Sequence, residues 1–323
     1  MSGSITDVPG IEVGHAQHPS GLTGCTVVLC RAGAVPGVSA SGGAPGTRET
    51  DCLRPENVVP AVHAVFLTGG SAFGLDCAGG IMRFLEELKI GINVGPTVVP
   101  IVPGAVLNDL PFTRAAARPD AEMGYRACSA ARSPEARQGN VGAGTGAAIG
   151  RLAGNTLGMM KGGLGTASIR VGRLVVGAIV AVNCNGDVTD PATGELLAGT
   201  LTVDRARMVG ALNMVTGAVP RYKGGLPTNT TIGVVATNGI LTKATATRVA
   251  LVAQDGYARA IYPAHTLGDG DVVFTMATAT VECDTDHVSA LAAEVCARAV
   301  VNAVRAAETL AGVPCSREIL GRG

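Results

Sequence analysis

The residues best suited to chemistry in this 323-residue chain lie in the run Asn229-Thr230-Thr231-Ile232-Gly233-Val234-Val235-Ala236-Thr237. A polar turn, Pro227-Thr228-Asn229, leads through two hydroxyl residues into a β-branched run that reads as a buried strand. Its everyday meaning is a turn before a core strand. Its other meaning is chemical. Cutting the bond before Thr230 would put a hydroxyl and a free amine on one residue, and an α-amine with a pKa of about 7.7 to 8 is a usable base at neutral pH. Further on, Asp269 and Asp271 flank Gly270, and extended backbone there points both carboxylates to one side. Like charges that close raise at least one pKa unless a cation offsets them. A simple Asp-Gly-Asp turn, with or without calcium, is the competing reading.

Other motifs fall short of the chemistry they suggest. The strand-like run 63–68 passes into Gly69-Gly70-Ser71-Ala72-Phe73, but Phe73 stands where a nucleophile elbow needs its last glycine. Ser71 is therefore not read as a nucleophile. Gly70 and Ser71 instead precede a helix predicted over 75–88, whose N-terminus could face a substrate. The glycines of 139–146 lack both the spacing and the downstream acid of a dinucleotide fingerprint, and read as a turn where two backbones meet. Lys161 is a lone lysine among glycines, solvated in the ordinary case. His15 and His18 lack a third ligand, so they read as surface or turn histidines and no metal is expected.

These residues need a scaffold, and the pattern supplies one. A strand-turn-strand opening spans 11–30, and a hairpin turns at Gly172-Arg173 between strands over 169–171 and 174–182. Helices are predicted over 114–137, 241–260 and 286–311, with a strand over 272–277. Pro96, Pro100 and Pro103 keep 94–106 irregular. Residues 187–229 have scattered Pro and Gly without periodicity, and Tyr222-Lys223-Gly224-Gly225 looks the loosest. That stretch reads as a linker whose end must be released, dividing the chain into 1–229 and 230–323.

Composition narrows the partners. Lys plus Arg and Asp plus Glu each total 25 with no basic cluster, which argues against nucleic acid and for a small, weakly charged ligand. With no Trp, five Phe and four Tyr, the core must be aliphatic. Nine cysteines without a CxxC pair or a signal peptide suggest reduced thiols in the cytoplasm, and no apolar run is expected to span a membrane.

Five ordered stretches, 5–15, 67–75, 141–146, 161–166 and 229–237, together resemble the DmpA-like L-aminopeptidase/D-esterase family, which includes the nylon-oligomer hydrolases. The resemblance implies an α+β fold, a four-layer αββα sandwich of the N-terminal-nucleophile kind. It also implies a precursor that cuts itself at Asn229/Thr230 into an α chain, 1–229, and a β chain, 230–323. The two fragments stay associated, four αβ units form a ring, and no cofactor is needed. Carried over residue by residue, Thr230 matches the nucleophile and Asp269 and Asp271 the acidic pair. Lys161 matches a motif lysine near the nucleophile, and Asn183 an amide that donates to the oxyanion. The Asp-x-Asp form looks more like the nylon-oligomer hydrolases than the aminopeptidases. Asn108, in Leu107-Asn108-Asp109-Leu110, replaces an aromatic residue of the substrate pocket, so no single relative's substrate transfers. The expected activity is hydrolysis of linear amides, either 6-aminohexanoate oligomers or short peptides. The rivals are an acyltransferase of the ornithine-acetyltransferase type and an uncleaved binding protein.

Overall fold

The structure, a computed structural model, describes residues 3–113, 117–152, 158–217 and 229–321. Two sheets meet along the long strand Gly24–Ala40. Its first half pairs with Glu12–Gln17 and Val62–Thr68, its second half with Val272–Val281, and the register to Val62–Thr68 shifts between Leu29 and Ala34. One sheet continues from Val272–Val281 through the parallel strand Ile232–Gly239 to Leu174–Val182 and Gly163–Val171. The other runs from Val62–Thr68 to Gly104–Val106 and the short Thr47–Arg48.

Alternation along the strands decides what each face buries. Val28, Val65 and Leu67 share one core with Ile179, Ile232, Val234 and Phe274, so the two sheets pack face to face. On the outer side of the second group, Val176, Ala178, Val180 and Val235 lie under the helices Lys243–Ala260 and Thr285–Ala306. Cys77–Glu87 and Ala121–Ser129 cover Val27, Ala64 and Phe66 of the first. The result is the four-layer αββα sandwich expected from the resemblance. Every residue of Ile232–Gly239 is buried because both faces of this strand are covered, which is why Ile232 to Ala236 read as an unbroken apolar run.

Caps set the helix boundaries. Thr242 accepts the amide of Thr245 at the head of Lys243–Ala260, and Asp284 accepts those of Asp286 and His287 at the head of Thr285–Ala306. Among the described residues, the helix predicted over 114–137 is Ala121–Ser129. Its start is fixed by Pro119 and the Asp120 cap, and Pro134 lies soon after its end. The hairpin turns as expected, with Gly172 at φ +59°.

Three expectations need correcting. The stretch from 187 is not a uniformly loose linker. Asp187–Thr189 pairs with both Leu196–Ala198 and Ile261–Tyr262, and Val188, Leu197 and Ala198 are buried beneath the helices. Three-residue strands are too short to show alternation, so the pattern read as loop. Tyr222-Lys223-Gly224-Gly225 lies outside the described residues. Secondly, Thr285–Ala306 is by length and composition able to span a membrane, contrary to the reading that no run could. In the fold 67% of its most apolar window is buried, while Glu294, Arg298 and Arg305 form ion pairs along it. Thirdly, His15 is no surface histidine: it is buried on Glu12–Gln17, its Nδ1 is 3.0 Å from the Thr26 hydroxyl, and burial lowers its pKa to about 4.

Candidate active site

Strand register brings the site together. Ile232 pairs with Ala181 on one side and with Val272 on the other, so the residues just outside those pairs must converge: 183–185, 229–231 and 269–271. All three segments are buried at the ends of their strands. The Thr230 N–H donates to the Asn183 carbonyl at 2.7 Å, and the Asn229 N–H to the Gly268 carbonyl at 2.9 Å. The Asn229 carbonyl oxygen, on the peptide bond that precedes Thr230, takes two donors. They are the Gly270 N–H at 2.8 Å and the Thr230 hydroxyl at 2.5 Å.

The two aspartates serve different neighbours. Asp269 accepts from the Asn185 amide at 2.9 Å through Oδ1, and from the hydroxyl and N–H of Thr266 through Oδ2. Asp271 accepts the Thr231 N–H at 2.7 Å through Oδ1, and the N–H and Nδ1 of His265 at 3.0 and 2.9 Å through Oδ2. Burial, and then the Asp271 charge, raise the Asp269 pKa to about 6. Burial pulls the His265 imidazole down, but the Asp271 hydrogen bond and charge, with the Gln254 backbone, outweigh it and leave the pKa raised. The group set against the acidic pair is therefore His265, through its bonds to Asp271. Every carboxylate oxygen of the pair faces a protein hydrogen, which disfavours the calcium reading. Among the described residues no group of three or more metal-type ligands assembles.

Lys161 sits deeper. Its fully buried Nζ donates to the carbonyls of Gly144, Ala147 and Gly162 at 2.8–2.9 Å, using all three of its hydrogens. None of them reaches Thr230 or the aspartates. Burial lowers its pKa to about 7, opposed by the charge of Asp109. The glycine turn that it ties down does bring two backbones together: a Cβ on Gly144 would stand 2.2 Å from the Leu164 nitrogen.

Asn183 joins this network through its backbone. Its Oδ1 accepts the Ala148 N–H at 3.0 Å, which turns its NH2 group toward the Asn108 carbonyl at 3.4 Å. Arg151 donates to that same carbonyl at 3.1 Å. Asn108 thus borders Asn183, whereas Gly70 and Ser71 belong to a neighbouring turn. The Gly70 N–H bonds Asp109 at 2.7 Å and the Ser71 N–H bonds the Leu107 carbonyl at 3.0 Å. Among the described residues no hydrogen bond joins either of them to Asn229, Thr230 or the acidic pair.

Asn185, His265 and Gly270 were not singled out from sequence. Asn185 gave no signal beyond lying two residues past Asn183. His265 could have been found as the one cationic candidate within six residues of Asp271. Gly270 could have been found by asking why a glycine separates the two acids: a Cβ there would lie 2.5 Å from the Ala44 carbonyl oxygen and 2.8 Å from Thr230 Oγ1.

The profile of peptidase family S58 matches residues 3–317. An uncharacterized aminopeptidase of Mycobacterium leprae is 44% identical over 96% of this chain and 92% of its own length. A 6-aminohexanoate-oligomer endohydrolase of Agromyces is 30% identical over 86% of this chain and 76% of its own length. Among solved structures, the L-aminopeptidase D-Ala-esterase/amidase of Ochrobactrum anthropi, described as a variant of the Ntn-hydrolase fold, superposes with a TM-score of 0.69. It is 20% identical, covering 97% of this chain and 90% of that one.

Proposed function

The chain belongs to peptidase family S58, the DmpA family, whose members hydrolyse amide bonds, and from that premise we propose that it is a self-processing hydrolase with Thr230 as its nucleophile. One observation carries the reading. The Thr230 hydroxyl lies against the carbonyl of the bond to be cut, and that carbonyl oxygen already accepts the Gly270 N–H. Thr230 Oγ attacks the Asn229 carbonyl carbon, and Gly270 N–H bonds the oxygen as charge builds on it. The bond between Asn229 C and Thr230 N then breaks, and the hydroxyl proton ends on the departing nitrogen. Water hydrolyses the resulting ester, leaving a carboxylate on Asn229 and restoring the hydroxyl of Thr230, now with a free amine.

In turnover the same hydroxyl attacks the substrate amide while the amine takes its proton and passes it to the leaving nitrogen; water then hydrolyses the acyl ester on Thr230, releasing the acid and restoring the hydroxyl. The NH2 group of Asn183, held only by a long contact among the described residues, is the donor to the substrate oxyanion. Asp271, braced by His265, fixes the Thr231 backbone beside the nucleophile, and Asp269 fixes Asn185. Lys161 holds the 144–147 and 162 backbone beneath them. Linear amides and short peptides with a free amine are the substrates, and the greater similarity to the mycobacterial aminopeptidase favours peptides over 6-aminohexanoate oligomers. We place the protein in the cytoplasm, as an assembly of αβ units.

Thr230→Ala tests the reading. Intact-mass measurement should find a single uncut chain in the variant and fragments 1–229 and 230–323 in the parent, with amide turnover lost in the variant. Parental turnover by the variant, or turnover by a parent that is never cut, would overturn it.

A further inference from the structure

Thr230 is not the only residue at the cut whose side chain is engaged. Asn229 is buried, and its Nδ2 donates to Asn185 Oδ1 at 2.7 Å. Asn185 has no freedom to turn its amide around. Its own Nδ2 donates to Asp269 Oδ1, which only accepts when the carboxyl is ionised, so above the Asp269 pKa of about 6 its oxygen must face Asn229. The other half of the Asn229 amide, Oδ1, finds no hydrogen-bond partner among the described residues although it too is buried. The surroundings therefore read the NH2 group and not the oxygen. Two backbone bonds, from Asn229 N–H to the Gly268 carbonyl and from Gly270 N–H to the Asn229 carbonyl, hold the same residue in a parallel bridge beside Asp269.

We propose that Asn185 is the specificity-determining residue for self-cleavage: its carbonyl oxygen, with the Gly268 and Gly270 backbone, forms a subsite that requires a hydrogen-bond donor on the side chain preceding the cut. The inference rests on the self-cleavage reading above. It makes Asn185 a positioning residue, which acts by fixing Asn229 so that the scissile carbonyl stays between Thr230 Oγ1 and Gly270 N–H.

The test follows the full chain made by cell-free translation, with conversion to fragments 1–229 and 230–323 timed by intact mass. Asn229→Ala removes the donor and leaves the Asn185 oxygen buried and unpaired, so conversion should slow by roughly 10- to 100-fold. Asn229→Asp keeps the shape but offers the Asn185 oxygen only another acceptor, and should be as slow as Asn229→Ala or slower. A role in space-filling alone would rank the isosteric Asp ahead of Ala. If the parent is cut at 229/230 but either variant converts at the parental rate, or Asp outpaces Ala, the subsite is refuted and the self-cleavage reading stands. If the parent is never cut, both fall together.

Discussion

Gly270→Ala probes the tightest point of the site. The added Cβ would lie 2.8 Å from Thr230 Oγ1 and 2.5 Å from the Ala44 carbonyl oxygen, where ordinary contact begins near 3.4 Å. Ala44 cannot simply yield, because its N–H is tied to the Asp269 carbonyl at 2.9 Å. The 270 backbone must therefore back away from the hydroxyl by about 0.6 Å, a strain of the kind that costs about 1–3 kcal/mol in packed interiors. A retreat of that size stretches the 2.8 Å bond from the 270 N–H to the Asn229 oxygen beyond useful hydrogen-bond length. Removing one such donor from a developing oxyanion typically costs a factor of about 100 to 1,000 in rate. The assay is the intact-mass time course of the full chain, with a melting curve alongside. Slow conversion of a folded chain is the expected result. Conversion at the parental rate would mean that the Gly270 amide takes no part in the step and that the steric account is wrong.

Two further predictions concern buried charge. Asp269 has a pKa of about 6 in the fold, against about 3.9 for an unfolded aspartate, so the folded chain holds that proton more tightly. Its contribution to stability is full below pH 4 and is lost as pH rises through 6. In a Thr230→Ala background, Asp269→Asn, which cannot ionise, should therefore gain on its parent by roughly 1–3 kcal/mol between pH 4 and pH 7 in chemical denaturation. A pH-independent difference would contradict the assignment. Lys161→Met removes three hydrogen bonds from buried carbonyls, two of which keep a second backbone donor, at Ala147 and Gly162. It should cost about 2–4 kcal/mol and lower the melting temperature by several degrees. An unchanged melting temperature would show that the cage contributes nothing to stability.

How far the sequence could be read depended on the range of the signal. Long elements announced themselves, the Gly172 hairpin and the two long C-terminal helices among them, because many residues repeat one period. Thr230, Asp269 and Asp271 were singled out through the family resemblance, since a plain turn was the ordinary local reading at each place; strand register brings the two segments together. Asn185 and His265 were not legible, since their importance comes from partners 84 and 6 residues away in the chain and from no local pattern. Lys161 was misread in one respect, its exposure. A lone lysine among glycines read locally as solvated, whereas Gly144, Ala147 and Gly162 supply the carbonyls that hold it in the interior. The small sheet built on Asp187–Thr189 stayed hidden because three residues carry no period.

The strand order has a lasting consequence. Ile232–Gly239 lies between Leu174–Val182 and Val272–Val281, one neighbour from each side of residue 229, and Thr285–Ala306 packs across strands that precede it. A molecule severed at that point remains stitched through its middle, so neither piece can leave without tearing open a central sheet. If the chain is cut there as proposed, then before the cut it recovers from unfolding at a rate indifferent to dilution. Afterwards, recovery needs an encounter between two separate polypeptides, and it slows as they are diluted. Activation by the proposed cut would make reassembly depend on concentration.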